Sequence, residues 1–146
     1  MNRTIKFRGK RLDNGEWLYG SLIVWVDSCT IYADAPSPKR YFITENDRGC
    51  LNTISGQYAK EVIPETVGQY TGTIDIDDKE IYEGDIVGIQ MADPKEMYKA
   101  VVEFSDFRWY LKPVEEEKWI EDWNFIDDSC RFKIIGTIHD KEMEQC

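Results

Sequence analysis

A chain of 146 residues, 42% hydrophobic and 13% aromatic, is long enough for one domain with its own core. Its net charge of −10 sits on sequence with strand-forming residues throughout, which excludes a disordered acidic chain. The longest apolar run, Leu22–Val26, is far too short to span a bilayer as a helix, and the cationic start leads into polar residues, not the apolar stretch of a secretory signal. The chain is therefore read as cytoplasmic.

The first predicted element is a hairpin of Ile5–Leu12 and Glu16–Val26 around Asn14-Gly15. Asn-Gly favours a two-residue turn with both residues left-handed. That register sets Leu12 opposite Trp17, Lys10 opposite Tyr19, Arg8 opposite Ser21, Lys6 opposite Ile23, and Gly9 opposite Gly20. One face is then aliphatic, with Ile5, Phe7, Leu18, Leu22 and Val24. The other interleaves Lys6, Arg8 and Lys10 with Trp17, Tyr19 and Trp25. These six residues are the candidate partner-binding site. Either the aromatics pack beneath a second layer with the cations lying over them, or the face grips an acidic partner or stacks bases. The strong acidity of the chain after residue 11 weighs against nucleic acid.

Residues 27–64 read least clearly. Ala35-Pro36-Ser37-Pro38 is a loop, because two prolines break any ladder, and Lys39–Thr44 and Tyr58–Ile63 are strand candidates. The central stretch, 64–89, is better marked. Val67–Thr71 suits a half-buried strand, Asp75–Lys79 a turn, and Glu80–Tyr82 a further extended run. Glu83-Gly84-Asp85 turns again, with Gly84 expected at φ > 0, before the strand that opens at Ile86.

Beyond it, Met91–Glu96 is a loop, and Tyr98–Phe104 with Phe107–Leu111 form a hairpin. Glu115–Phe125 is the one helix candidate: Trp119, Ile120 and Trp123 share a face, and three glutamates occupy the first turn. Arg131–His139 is the closing strand, where Gly136 suggests a bulge, followed by a polar tail from Asp140.

Several of these stretches also carry a resemblance. Ile63-Pro64-Glu65-Thr66-Val67-Gly68-Gln69-Tyr70-Thr71-Gly72 with Ile81-Tyr82-Glu83-Gly84-Asp85-Ile86-Val87 resembles the signature of the YopX family of phage and prophage proteins. Ile5–Lys10, Trp17–Gly20 and Ile134–His139 agree with it, so the resemblance spans almost the whole chain. One departure is Asp77-Asp78, where the family's turn carries an Asn-Gly-like pair. The resemblance implies a mostly β protein with an SH3-like barrel, encoded by phage or prophage, with no catalytic residues to carry over.

The expected architecture is mainly β with minor α: antiparallel hairpins, with an SH3-like or β-roll barrel in the C-terminal part. Residues 1–63 form the N-terminal hairpin region, 64–139 the barrel, and 140–146 the tail, all within one YopX-like domain. No metal or cofactor is expected. Cys29, Cys50, Cys130 and Cys146 form no CxxC pair, His139 is the single histidine, and a reducing cytoplasm disfavours disulfides. The acidic turn Asp75, Asp77, Asp78, Glu80 departs from a calcium loop, since Glu80 stands where the glycine is required. His139 has no nucleophile–base companion in the sequence, so the chain is not read as an enzyme. Function is expected to be that of a non-enzymatic module binding a host or phage protein, with homo-oligomers allowed. The alternatives are an acidic decoy mimicking nucleic acid, resting on 17 acids against 6 Lys/Arg over residues 75–128, or nucleic-acid contact through the N-terminal hairpin.

Overall fold

The structure, a computed structural model, describes residues 4–26, 38–45, 59–90, 97–115 and 131–140. In chain order its strands are β1 (Phe7–Lys10), β2 (Trp17–Val26), β3 (Lys39–Thr44), β4 (Ala59–Glu61), β5 (Gly68–Ile74), β6 (Glu80–Tyr82), β7 (Asp85–Gln90), β8 (Met97–Ser105), β9 (Arg108–Pro113) and β10 (Phe132–Thr137). A 3-10 turn, Pro64–Thr66, precedes β5. Every strand pairing among the described residues is antiparallel, consistent with the alternating pattern. The chain divides into two compact units, residues 2–69 and 70–146.

In the N-terminal unit the strands run β4-β3-β2-β1, and β1 also pairs with Gly68 and Gln69 at the start of β5. The first hairpin is not closed by the expected two-residue turn. Arg11 and Glu16 form its last backbone pair (2.9 Å), and Leu12–Gly15 make a wider loop whose Gly15 amide donates to the Arg11 carbonyl. Local side chains select the wider loop. Arg11 forks onto Asp13 at 2.9 and 2.6 Å, the Asn14 side chain accepts from the Glu16 amide and donates to its carboxylate, and Gly15 supplies the one left-handed residue, φ +73°. The pairs are consequently Lys10–Trp17, Gly9–Leu18, Arg8–Tyr19 and Phe7–Gly20, two residues away from the expected register. Because strand side chains alternate with period two, this slip leaves each face with the same residues.

Leu18, Ile43 and Val62 form the core of this unit, with Phe7, Leu22, Tyr41 and Val67 packed on it; Ile5 and Val24, expected on the same face, are exposed. Gly20 lies so close to the Thr44 carbonyl that a Cβ there would come within 1.9 Å of its oxygen. Beyond β4 the backbone returns to β1. Arg11 bridges Val62, the Leu12 amide donates to the Glu61 carbonyl, and the Ile63 amide donates to the Lys10 carbonyl. The Thr66 hydroxyl then accepts from the Lys10 amide (2.8 Å) and donates to the Ile63 carbonyl (2.7 Å), holding the 3-10 turn on β1.

In the C-terminal unit a sheet runs β10-β7-β8-β9, and the later part of β5 pairs with β6. Its core is Ile81, Val87, Ile89, Ala100, Val102, Leu111 and Phe132, backed by Tyr98, Trp109 and Ile134. β10 is bulged between Ile134 and Gly136, as its glycine suggested. Gly84 adopts φ +84°, its amide donating to the Val102 carbonyl and its carbonyl accepting from the Ile138 amide. The β8–β9 turn falls on Asp106-Phe107, so Phe107 lies in the turn and not in the strand expected to begin there. No pairing among the described residues closes either sheet into the barrel expected over 64–139. The helix expected over Glu115–Phe125, the loop Met91–Glu96 and all four cysteines lie outside the described residues, apart from Glu115.

Candidate binding face

Alternation along β1 and β2 places Arg8, Lys10, Trp17, Tyr19 and Trp25 on one face of the N-terminal sheet, opposite the Leu18–Ile43–Val62 core. Lys6, half-buried, directly precedes β1. The structure divides this set. Arg8 is buried, 5% exposed, with its guanidinium carbon 4.5 Å from the centre of the Trp17 ring. The Lys10 ammonium lies 5.2 Å from the same ring. Trp17 is thus engaged by two cations, the packed arrangement that the sequence allowed, each contact contributing about 0.5–1 kcal/mol. Tyr19 and Trp25 differ: they are 41% and 49% exposed.

Pairing of β2 with β3 adds residues that the sequence reading missed. Trp25 faces Arg40, and Ile23 faces Phe42, so β3 continues the same alternation of cation and aromatic. The Arg40 guanidinium carbon lies 5.2 Å from the Phe42 ring centre and its fork grips Glu61 on β4 at 3.0 and 2.7 Å. That hydrogen-bonded guanidinium outweighs desolvation and holds the Glu61 carboxyl below its ordinary range. The signal was present in Arg40-Tyr41-Phe42, but only the β2–β3 register says which face these side chains join.

Several polar side chains of the central stretch turn inward instead. Asp75 is buried, and its Oδ1 accepts from the amides of Asp77 (2.8 Å) and Lys79 (2.9 Å), its Oδ2 from the Ile134 amide (3.2 Å). Burial alone would push this carboxyl up; the amides of Lys79, Ile134 and Asp77, with the Lys79 charge, more than offset it and hold it below the usual value. Asp78 takes φ +60°, the left-handed conformation that an Asn-Gly pair would supply. Asp85 accepts the Tyr82 amide across the Gly84 turn, and the Thr71 hydroxyl donates to the Ile81 carbonyl. Among the described residues no group of three or more His, Cys, Asp or Glu stands close enough to hold a metal ion, and no helix is long and apolar enough to cross a membrane.

No curated protein matches the chain. Among solved structures, it is similar to the crystal structure of protein EF1440 from Enterococcus faecalis, at 18% identity and a TM-score of 0.48, covering 94% of this chain and 95% of that one. The family model described as YopX protein matches residues 6–143, taking in Thr66 of the N-terminal unit and Thr71 and Gly84-Asp85 of the C-terminal unit, each hydrogen-bonded within its own unit. The chain belongs to the YopX family.

Proposed function

We propose that this YopX protein is a non-enzymatic protein-binding module, an accessory protein of a phage or prophage that works in the cytoplasm of its bacterial host. Its binding face is the exposed half of the β1–β2–β3 surface. The observation that carries this reading is the pair Tyr19 and Trp25, both exposed on a sheet face that also carries Lys10 and Arg40. Large aromatics among cations suit an apolar contact surrounded by carboxylates, so the partner is a protein presenting an acidic, partly apolar surface. Trp17, already covered by Arg8 and Lys10, is a poor platform for a stacked base, which supports protein over single-stranded nucleic acid. Inward use of Thr66, Thr71 and Asp85 supports a structural role for the family signature.

The test is capture from host lysate with tagged wild-type chain and with a Tyr19→Ala/Trp25→Ala variant of unchanged circular dichroism. A protein retained by the wild type and lost by the variant is expected, and its affinity should fall as salt rises. Retention by both forms alike removes the face from the reading. Variant-sensitive binding of a single-stranded oligonucleotide would replace the protein partner with nucleic acid.

A further inference from the structure

The β8–β9 hairpin of the C-terminal unit ends in a two-residue turn, with Ser105 paired to Arg108 and Asp106-Phe107 between them. In its type I′ form such a turn has φ > 0 at both central residues, which is why Asn-Gly usually occupies it. Here Asp106 stands at φ +50° and Phe107 at φ +65°. Aspartate tolerates that region. A phenylalanine does not, because its Cβ crowds the backbone there. The same side chain is 99% exposed. Two separate costs, a strained backbone and a whole aromatic ring in water, therefore meet at one position where glycine would remove both.

We propose that Phe107 is an anchor that inserts into an apolar pocket of a partner protein. This rests on a different observation from the N-terminal face and does not depend on it. The hairpin beneath is firm: Phe104 and Trp109 pair edge to face at 4.9 Å, and Trp109 packs on the core. The turn thus fixes the backbone from which the ring projects, sparing the ordering cost that a flexible loop would incur on binding. Asp106 and Arg108, both exposed, flank the ring, so the pocket that fits it is apolar within and charged with both signs at its rim. A single projecting ring suits a concavity. Two such tips meeting each other would bury far less than the roughly 1,000 Å² that a stable dimer needs. A bilayer is a poor occupant, since a chain of net charge −10 is repelled by anionic headgroups and one ring anchors weakly.

The test places photo-crosslinking benzoylphenylalanine at position 107 of the full chain, or at position 112 on the same hairpin as control, in bacterial cells. A protein joined from 107 and not from 112 is purified, and its affinity for wild type, Phe107→Gly and Phe107→Leu is measured. Phe107→Gly should melt above the wild type, with strain relieved, yet bind at least about 30-fold more weakly. Phe107→Leu should stay within a few-fold of wild-type affinity. Failure to obtain an adduct specific to 107 overturns the proposal, as does equal binding by Phe107→Gly or a Phe107→Gly that melts below the wild type. Phe107-dependent dimerisation in sedimentation equilibrium, or Phe107-dependent binding to phosphatidylcholine vesicles, overturns it by naming another occupant.

Discussion

Asp75 shows how one side chain can hold a loop and a distant strand at once. Its carboxylate accepts amides from Asp77 and Lys79 in its own turn and from Ile134 in β10, fifty-nine residues away. Asp75→Asn should therefore cost about 1–3 kcal/mol, because one end of the amide must point its own N–H at a backbone donor. The pH dependence has a definite sign. Its folded pKa lies below the ordinary aspartate value, so its stabilisation is complete above that ordinary value and is lost as pH falls through the folded pKa. Urea denaturation of wild type and Asp75→Asn at pH 7 and near pH 3 should show the gap between them shrinking at the lower pH. Gly84 is the second such residue. A β-branched side chain at φ +84°, with Ile138 and His139 atoms already 3.4 Å from where its Cβ would sit, is strained and crowded. Gly84→Val should lose about 1–3 kcal/mol, and a melting curve unchanged from wild type would show the turn to be unstrained.

At the scale of elements, the first hairpin shows which sequence signals survive an error of register. Asn14-Gly15 marks the turn, and the turn is there, but the Arg11–Asp13 fork and the Asn14 contacts with Glu16 widen it by two residues. Face composition survives because two is the period of the strand. The close approach of β2 and β3 is a separate matter that no alternation reveals. Gly20 permits it: a methyl group there would overlap the Thr44 carbonyl at 1.9 Å, a contact that only separation of the strands could relieve. Gly20→Ala is expected to cost about 3 kcal/mol or more, or to prevent folding of the N-terminal unit. Loss of amide-exchange protection in β2 and β3, with β7 and β8 less affected, would locate the damage.

For the whole molecule, charge is the property that acts at long range. A net charge of −10 repels itself, and Lys6, Arg8 and Lys10 oppose that repulsion from the start of the chain. Melting temperature should rise as salt screens the excess, and replacing all three cations with Gln should steepen the rise while preserving the β-type circular dichroism. If the salt dependence is the same in both proteins, the three cations contribute nothing to this balance. Much of this was legible in the sequence. Period-two alternation gives the strands, Gly84 and the Asp-rich turn give their ends, and the signature at 63–72 and 81–87 gives the family, because these depend on neighbours within a few residues. Other features depend on residues far apart, and only the tertiary structure decided them. Arg8 and Lys10 both reach the Trp17 ring, Arg40 and Phe42 join the same face through β2–β3 pairing, and Asp75 reaches Ile134. The Phe107 turn lies between these cases. Its strand flanks were readable, but nothing local favours phenylalanine in a left-handed turn, so the position of the ring emerged only from the Ser105–Arg108 pairing.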